Sequence, residues 1–303
     1  MRIGLFANEL GVPLNDVVAE VGQAAEAGFA GAWMGQRPGW DALTTLAVAG
    51  RTAPGIELGT AIVPTYPRHP LALAAQALTV QAATGNRLTL GLGVSHRPII
   101  EGQLGLPFDR PLRHLREYLS ALAPLLRGES VAYEGETLKA AGAVQAPGAE
   151  PPSVLISALG PAMLRLAGEL TDGTVTVWTG PAVLDAHIVP TITKAAAAAG
   201  RPDPRVVTCT FVGVTADPDG RRGWVAENFG HAATLPSYRA IMERGNAAGP
   251  ADTVIVGDEA TVEREIARLA EAGATDLVAM PLPGGPPGEV RHTTEFLAAL
   301  ARA

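Results

Sequence analysis

The chain alternates, eight times over, between a short apolar run rich in β-branched residues and a longer segment with helical spacing, and that alternation limits its fold more than any other feature. The runs occupy residues 3–7, 30–34, 56–63, 88–94, 154–158, 174–178, 206–214 and 276–280. They are apolar on both faces, as parallel strands covered by helices must be. Segments of helical spacing fill 14–27, 41–53, 71–83, 112–126, 162–170, 181–199 and 259–272, with a last one at 293–303. Eight strand-then-helix units in 303 residues predict a (β/α)8 barrel forming one domain over 1–303, because a doubly wound sheet more often has fewer strands or a second domain. Asn15 and Asp16 are placed to cap the first helix and Asp258 a later one, while Gly28, Gly200 and Gly273 stand where helices should stop.

Three segments exceed a minimal barrel: 97–110, 131–152 and 217–250. The second contains VAYEGETLKAAG, a stretch with hairpin character. Long insertions in a compact domain are more often functional than accidental.

Composition narrows the partners. The net charge is -7 and the only lysines are Lys139 and Lys194, which argues against a nucleic-acid or anionic-membrane surface, since both need clustered cations. A small molecule is the expected partner. The single Cys209 excludes an internal disulfide and a cysteine-based zinc site, and the six histidines do not pair at metal-ligand spacing, so no metal site is expected. The N-terminal MRIGLFANEL is too short in apolar length for a signal peptide, and no run approaches the roughly 18 residues of a membrane helix, so a cytoplasmic location is expected. G-x-S-x-G, H-E-x-x-H and P-loop motifs are absent, and the GxG of RLTLGLGVSH does not complete a dinucleotide fingerprint. The chemistry is therefore expected to come from a cofactor.

In such a barrel the site is built from loops at the carboxyl ends of the strands. That rule nominates Asn8 and Glu9, residues 35–40, 61–69, 95–97, 157–160, 178–180 and 281–285. In SALGPAML, residues 157–164, small residues run through Gly160 into a helix and leave backbone N–H groups at the mouth, either as an anion site or as a plain tight turn. His96 directly follows a strand, where it is either a proton donor or cofactor contact or a solvated loop residue. His69, just ahead of Pro70, is read as serving its own turn. Trp178 reads as core, near enough to a strand end to wall a planar ligand.

The block IELGTAIVPTYPRHPLALAAQALTVQAATGNRLTLGLGVSH, residues 56–96, closely resembles the bacterial luciferase-like monooxygenase superfamily, and within it the branch that uses the deazaflavin coenzyme F-420. The likeness continues through SALGPAMLRLAGELTDGTVTVWTGP and IVGDEATVEREIARLAEAGATDLVAMPLP. The resemblance implies a TIM barrel of the bacterial luciferase-like type holding a tricyclic ring at its mouth. It implies a non-prolyl cis peptide at Ala61–Ile62 that backs the ring, and a phosphate held by the backbone of Ala158, Leu159 and Gly160, with Trp178 and Thr179 beside it. Ser95 and His96 would lie along the ring's polar edge. Arg68, with Arg37 and Arg97, would face the coenzyme's anionic oligoglutamate tail.

Departures from the family pattern bear on the reaction. Sugar-phosphate dehydrogenases of the superfamily carry an Asp-His pair where this chain has Gly35-Gln36, and a glutamate where it has His96. An alcohol oxidation needs a base for the hydroxyl proton, so reduction of a C=C, C=N or C=O bond by the reduced deazaflavin is the expected activity. His96 leads the catalytic candidates, with Gln36 and Asp41 from the loop after the second strand, and Glu9 behind. The alternatives are an FMN-dependent monooxygenase on the same barrel and a non-catalytic flavin- or deazaflavin-binding barrel. Relatives often dimerise, so a homodimer is expected from the resemblance.

Overall fold

A computed structural model describes residues 1–8 and 10–303. Its strands are β1 (Arg2–Phe6), β2 (Gly31–Met34), β3 (Glu57–Thr60), β4 (Val63–Pro64), β5 (Leu88–Gly93), β6 (Val131–Glu134), β7 (Lys139–Gly142), β8 (Ser153–Ser157), β9 (Gly173–Val177), β10 (Arg205–Val214), β11 (Ile255–Gly257) and β12 (Asp276–Pro281). Its helices are α1 (Leu14–Glu26), α2 (Ala42–Gly50), α3 (Pro70–Thr84), α4 (Arg97–Ile100), α5 (Pro111–Leu126), α6 (Pro161–Leu170), α7 (Pro181–Val183), α8 (Val189–Ala198), α9 (Pro218–Phe229), α10 (Pro236–Arg244), α11 (Glu259–Glu271) and α12 (Glu289–Arg302). Strands β1, β2, β3, β5, β8, β9, β10 and β12 pair in parallel in that order, and β12 pairs back onto β1, closing the barrel. All eight predicted runs supply these strands. No helix among the described residues is long and apolar enough to cross a membrane.

Side chains fill the barrel axis in layers, as close packing requires. At the amino end, Arg205 reaches Glu57 at 3.0 Å and Asp276 at 2.7 Å, and Arg2 pairs with the same two carboxylates. Above them Trp33, Leu155, Val175, Val207, Cys209 and Val278 form an apolar plug. The Trp33 indole occupies the volume that glycine frees: a Cβ on Gly59 would stand 2.2 Å from the ring, and one on Gly31 2.8 Å from its nitrogen. Phe6, Ala61, Ile62, Val177 and Met280 finish the plug on the carboxyl side.

Several boundaries differ from expectation for local reasons. The run 56–63 is two strands, because the Ala61–Ile62 peptide is cis and pairing resumes only at Val63. Helix α1 starts at Leu14 after Pro13, so Asn15 and Asp16 lie inside its first turn and no side chain caps it. Asp258 does cap α11, accepting from Thr261 N, and Gly28, Gly200 and Gly273 all take positive φ just past their helices. The segment 181–199 carries a π-turn at Leu184–Ile188, where Pro190 has no N–H to continue an α-helical ladder. VAYEGETLKAAG is the antiparallel hairpin β6–β7, its turn held by Glu117, which accepts from Glu136 N and Thr137 N. The 217–250 insertion is helical: α9 and α10, followed by the short edge strand β11 on β10.

Candidate functional site

The carboxyl ends of the barrel strands place the nominated residues around one opening. Its floor is apolar. The Phe6 ring lies 3.4 Å from where a Cβ on Gly35 would stand, and the Ile62 side chain lies 2.9 Å from the equivalent point on Gly93. The segment is fastened by backbone bonds on both sides: Ala61 N donates to Met34 O, Gln36 N to Ile62 O, and Thr65 N to Gly93 O. Ala61 and Ile62 therefore face the opening from a rigid support.

Two strand ends flank this floor with unusual backbone. Ser95 and Trp178 hold φ of 61° and 57°, a region non-glycine residues seldom enter and which concentrates at functional sites. After β8, the N–H groups of Ala158, Leu159 and Gly160 donate no hydrogen bond among the described residues, and neither do those of Thr179 and Gly180 after β9. Both turns run into helix starts at Pro161 and Pro181, the position where orphan donors and the helix dipole favour an anion. A Cβ added to Gly160 or Gly180 would meet nothing within 4 Å, so the space above both turns is open. The π-turn holds one of them: His187 Nε2 lies 2.9 Å from Leu159 O, so this nitrogen carries the proton and donates to the carbonyl.

The Trp178 ring does not wall the opening. It is buried with Phe211 and Phe229 at centroid distances of 5.8 and 6.0 Å, so its contribution to the mouth is its backbone, while its ring anchors α9 of the insertion. Thr179 is also buried, its hydroxyl 3.0 Å from that of Thr176.

His96 stands at the rim, and the Tyr238 ring from α10 meets its face edge-on, with centroids 4.6 Å apart and planes at 68°. Burial lowers the His96 pKa below the usual 6.5 and leaves the imidazole neutral at pH 7. At neutral pH His96 is thus an uncharged ring packed against Tyr238. Burial pushes the Tyr238 phenol up to about 12, with the nearby Cys209 adding to the effect, so the phenol keeps its proton at any working pH.

Asp41, Gln36 and Arg68 are joined in one hydrogen-bonded cluster. Burial opposes ionisation of Asp41, but hydrogen bonds from Thr44 and the Arg68 guanidinium outweigh it and hold the pKa below the usual 3.8. Asp41 is the N-cap of α2, with no proton to give. The Gln36 amide oxygen accepts from Ala42 N and Arg68, and its nitrogen donates to Arg37 O. Arg68 is thus neutralised and locked into a strut that holds the 65–70 turn against α2, rather than facing a ligand's anionic tail. Arg97 is likewise engaged with Glu101 and Phe108 O, and Arg37 lies over the Phe6 ring. Glu9 lies outside the described residues. His69 serves its turn as expected, capping α3 through Nδ1 and reaching Lys139 O through Nε2.

Two cavities adjoin the mouth. One of about 430 Å³ lies on the outer side of the 65–70 turn, between α5, the 97–110 insertion and the β6–β7 hairpin, where His114 stacks on Tyr66 at 4.0 Å. The other, of about 390 Å³, opens beside Thr179 and Gly180 and carries Arg222 and Arg264 in its wall. Sequence reading missed Tyr238, His187, Arg222 and Arg264. The one signal available for three of them was their membership of, or proximity to, an insertion or a proline-interrupted helix.

Known proteins match this architecture over its full length. The sequence profile described as luciferase-like monooxygenase matches residues 1–301. A 5,10-methylenetetrahydromethanopterin reductase of Archaeoglobus fulgidus is 34% identical over 158 residues, covering 50% of this chain and 46% of that protein. Among solved structures, an F-420-dependent secondary alcohol dehydrogenase in complex with an F-420–acetone adduct superposes with a TM-score of 0.80 at 19% identity, covering 98% of this chain and 97% of that one. The oxygenating constituent of 3,6-diketocamphane monooxygenase of Pseudomonas putida, in complex with FMN, superposes with a TM-score of 0.77 at 17% identity, covering 98% and 96%. The last two likenesses are likenesses of fold. With a matching profile over nearly every residue and the same closed barrel, the chain belongs to the luciferase-like monooxygenase family.

Proposed function

We propose that this protein is a coenzyme F-420-dependent oxidoreductase that works as a reductase of a small organic molecule. One observation carries the reading: an apolar floor of Phe6, Ala61, Ile62 and Met280 is flanked by two turns whose backbone N–H groups have no partner among the described residues. That combination suits a flat heterocycle with a phosphate-bearing tail, and the open space above Gly160 and Gly180 admits the phosphate.

On this reading Ala61 and Ile62 back the ring, and the N–H groups of Ala158, Leu159 and Gly160 take the phosphate. Thr179 and Gly180 border the path beyond it. Arg222 and Arg264, in the wall of the adjoining cavity and paired at 3.7 Å with Asp219 and Glu265, are the cations nearest that path. Ser95 and His96 edge the ring. When bound, the reduced deazaflavin supplies a hydride, and the protein's part is to orient the acceptor, exclude water and manage one proton. The absence of a carboxylate base at the rim among the described residues, with Asp41 committed to Arg68 and Thr44, favours reduction over alcohol oxidation. The relative that is itself a reductase supports the same direction.

The FMN-bound neighbour keeps a second reading in view, a flavin-dependent monooxygenase on this barrel. Titration with oxidised F-420 and, separately, with FMN, followed by quenching of cofactor fluorescence, separates the two. Saturable quenching of the deazaflavin with weaker FMN binding is the expected result; tight FMN binding with no deazaflavin response overturns the assignment.

A further inference from the structure

The insertion 217–250 brings one polar group into the mouth that the barrel itself lacks. Helix α10 lays Tyr238 edge-on against His96, and the hydroxyl end of its ring has the Cys209 thiol, a member of the barrel's interior plug, as its electrostatic neighbour. The hydroxyl makes no hydrogen bond among the described residues, yet it is not one of the buried polar atoms sealed away from contact. A tyrosine set in an apolar surround ordinarily finds a partner for its O–H, and a phenylalanine would fill the same space without one to satisfy. An unpartnered, accessible donor over the floor of a ligand site is therefore placed for a ligand atom.

We infer that Tyr238 contacts the substrate itself, its O–H donating to the oxygen of a carbonyl acceptor, which makes an isolated or conjugated C=O compound the substrate class. This rests on the reductase reading above. A phenol needs a lone pair to donate to: a carbonyl oxygen has one, as does a neutral imine nitrogen, while an iminium nitrogen or a simple alkene has none, and the oxygen acceptor is the class proposed here. The electron balance follows. Hydride from the reduced deazaflavin, carrying two electrons, adds to the carbonyl carbon or, in a conjugated enone, to the far alkene carbon. The displaced π pair ends on oxygen. That oxygen takes the Tyr238 proton, and the phenolate regains one from solvent, so the cofactor is oxidised and the substrate gains hydride plus proton. An alkoxide is a stronger base than a phenolate, so the transfer to an isolated carbonyl runs downhill, and the hydrogen bond strengthens as charge builds on oxygen. His96 acts through Tyr238, as the neutral ring against which the phenol is held.

The test uses cyclohexanone as the acceptor, reduced F-420 under anaerobic conditions, and the Tyr238→Phe protein, which keeps the ring and deletes the hydroxyl. The expected result is a fall in kcat of at least about tenfold, as for loss of one transition-state hydrogen bond, with deazaflavin quenching unchanged. A second readout is independent of turnover. In the complex with oxidised F-420, the infrared carbonyl stretch of bound cyclohexanone moves to lower frequency in the wild-type protein and does not in Tyr238→Phe. Equal kcat in the two proteins, or the same stretch in both, overturns the role of Tyr238. Deazaflavin binding without reduction of cyclohexanone overturns the carbonyl assignment and leaves the reductase reading standing, whereas failure to bind the deazaflavin removes that reading and this inference with it.

Discussion

His114 is the residue whose environment most constrains solution behaviour. It lies on α5 with 7% of its surface exposed, stacked on Tyr66 and with Nε2 3.1 Å from the Thr65 hydroxyl. Burial lowers its pKa from the usual 6.5 to about 4, a fall that the nearby Glu117 carboxylate only partly offsets. The unfolded chain therefore binds a proton that the folded chain refuses between those two values, so stability is undiminished above pH 6.5 and lost as pH falls toward 4. The loss attributable to this one ring is about 3 kcal/mol. Urea denaturation of wild type and His114→Gln across that range checks it: the difference in stability between the two should shift in the variant's favour as pH falls, and a constant difference would refute the burial account. Nothing in LRHLRE announces such a histidine. Its partners Thr65 and Tyr66 come from a turn far back in the chain, and a still longer separation in sequence hid the approach of Tyr238 to His96. The Ala61–Ile62 cis bond was legible because its signal is contiguous, a resemblance carried by one unbroken block. The Asp41–Arg68 pair was not legible, because its two members lie 27 residues apart, although the cap from Asp41 to Thr44 is a local pattern.

At the scale of elements, the barrel strands were readable because apolar runs bounded by turn residues need no partner to be recognised, while β4 and β11, of two and three residues, are too short to leave a period. The helices of the 217–250 insertion were missed because a short helical stretch between proline and glycine punctuation has little periodicity to show. Connections between elements carry their own energetics. Arg87, at the start of β5, donates to Thr84 O, Ala53 O, Ile56 O and Gly50 O at 2.5–2.8 Å. One guanidinium thus satisfies carbonyls at the ends of α2 and α3, where a cation also complements both helix dipoles. These carbonyls belong to residues that are themselves buried, so water replaces the lost donors poorly. Arg87→Met keeps the stem and removes all of these bonds, and it should lower the unfolding free energy by about 3 kcal/mol in neutral urea denaturation. A drop below about 0.5 kcal/mol, the range of an ordinary surface substitution, would show that the clamp is ornamental. The insertion has an anchor of the same kind: Arg221 on α9 donates to Leu282 O and pairs at 2.9 Å with Glu289 at the start of α12, while Phe229 at its far end joins the Trp178 cluster. Both ends of α9 are thus fixed to the rim, which is why α10 can hold Tyr238 at a defined place over the mouth.

Across the whole molecule the barrel axis separates what holds the fold from what meets the ligand. The amino end is closed by Arg205 with Glu57, Asp276 and the more exposed Arg2, and the middle by the Trp33 plug, so no ligand path runs through either. The carboxyl end has the apolar floor and the backbone donors that find no partner among the described residues. Substitutions at the two ends should then act on different measurements. Arg205→Met leaves two carboxylates facing each other with only Arg2 between them, and the expected loss is about 3 kcal/mol of stability, as when one member of a largely enclosed ion network is removed. On the proposed reading the F-420 dissociation constant should move by less than about twofold, because the trimmed layer lies beyond the Trp33 plug and independent sites of that kind do not couple. Ile62→Ala should do the reverse. Its side chain is half-buried, so truncation should cost about 1 kcal/mol of stability, while on the proposed reading, in which Ile62 backs the ring, it should weaken deazaflavin binding by about tenfold, or 1.4 kcal/mol. Unfolding midpoints and fluorescence titrations on the same two proteins complete the cross. If Arg205→Met weakened the cofactor as much as Ile62→Ala did, the two ends would be energetically one unit, and the account of a rigid base carrying an adaptable mouth would fail.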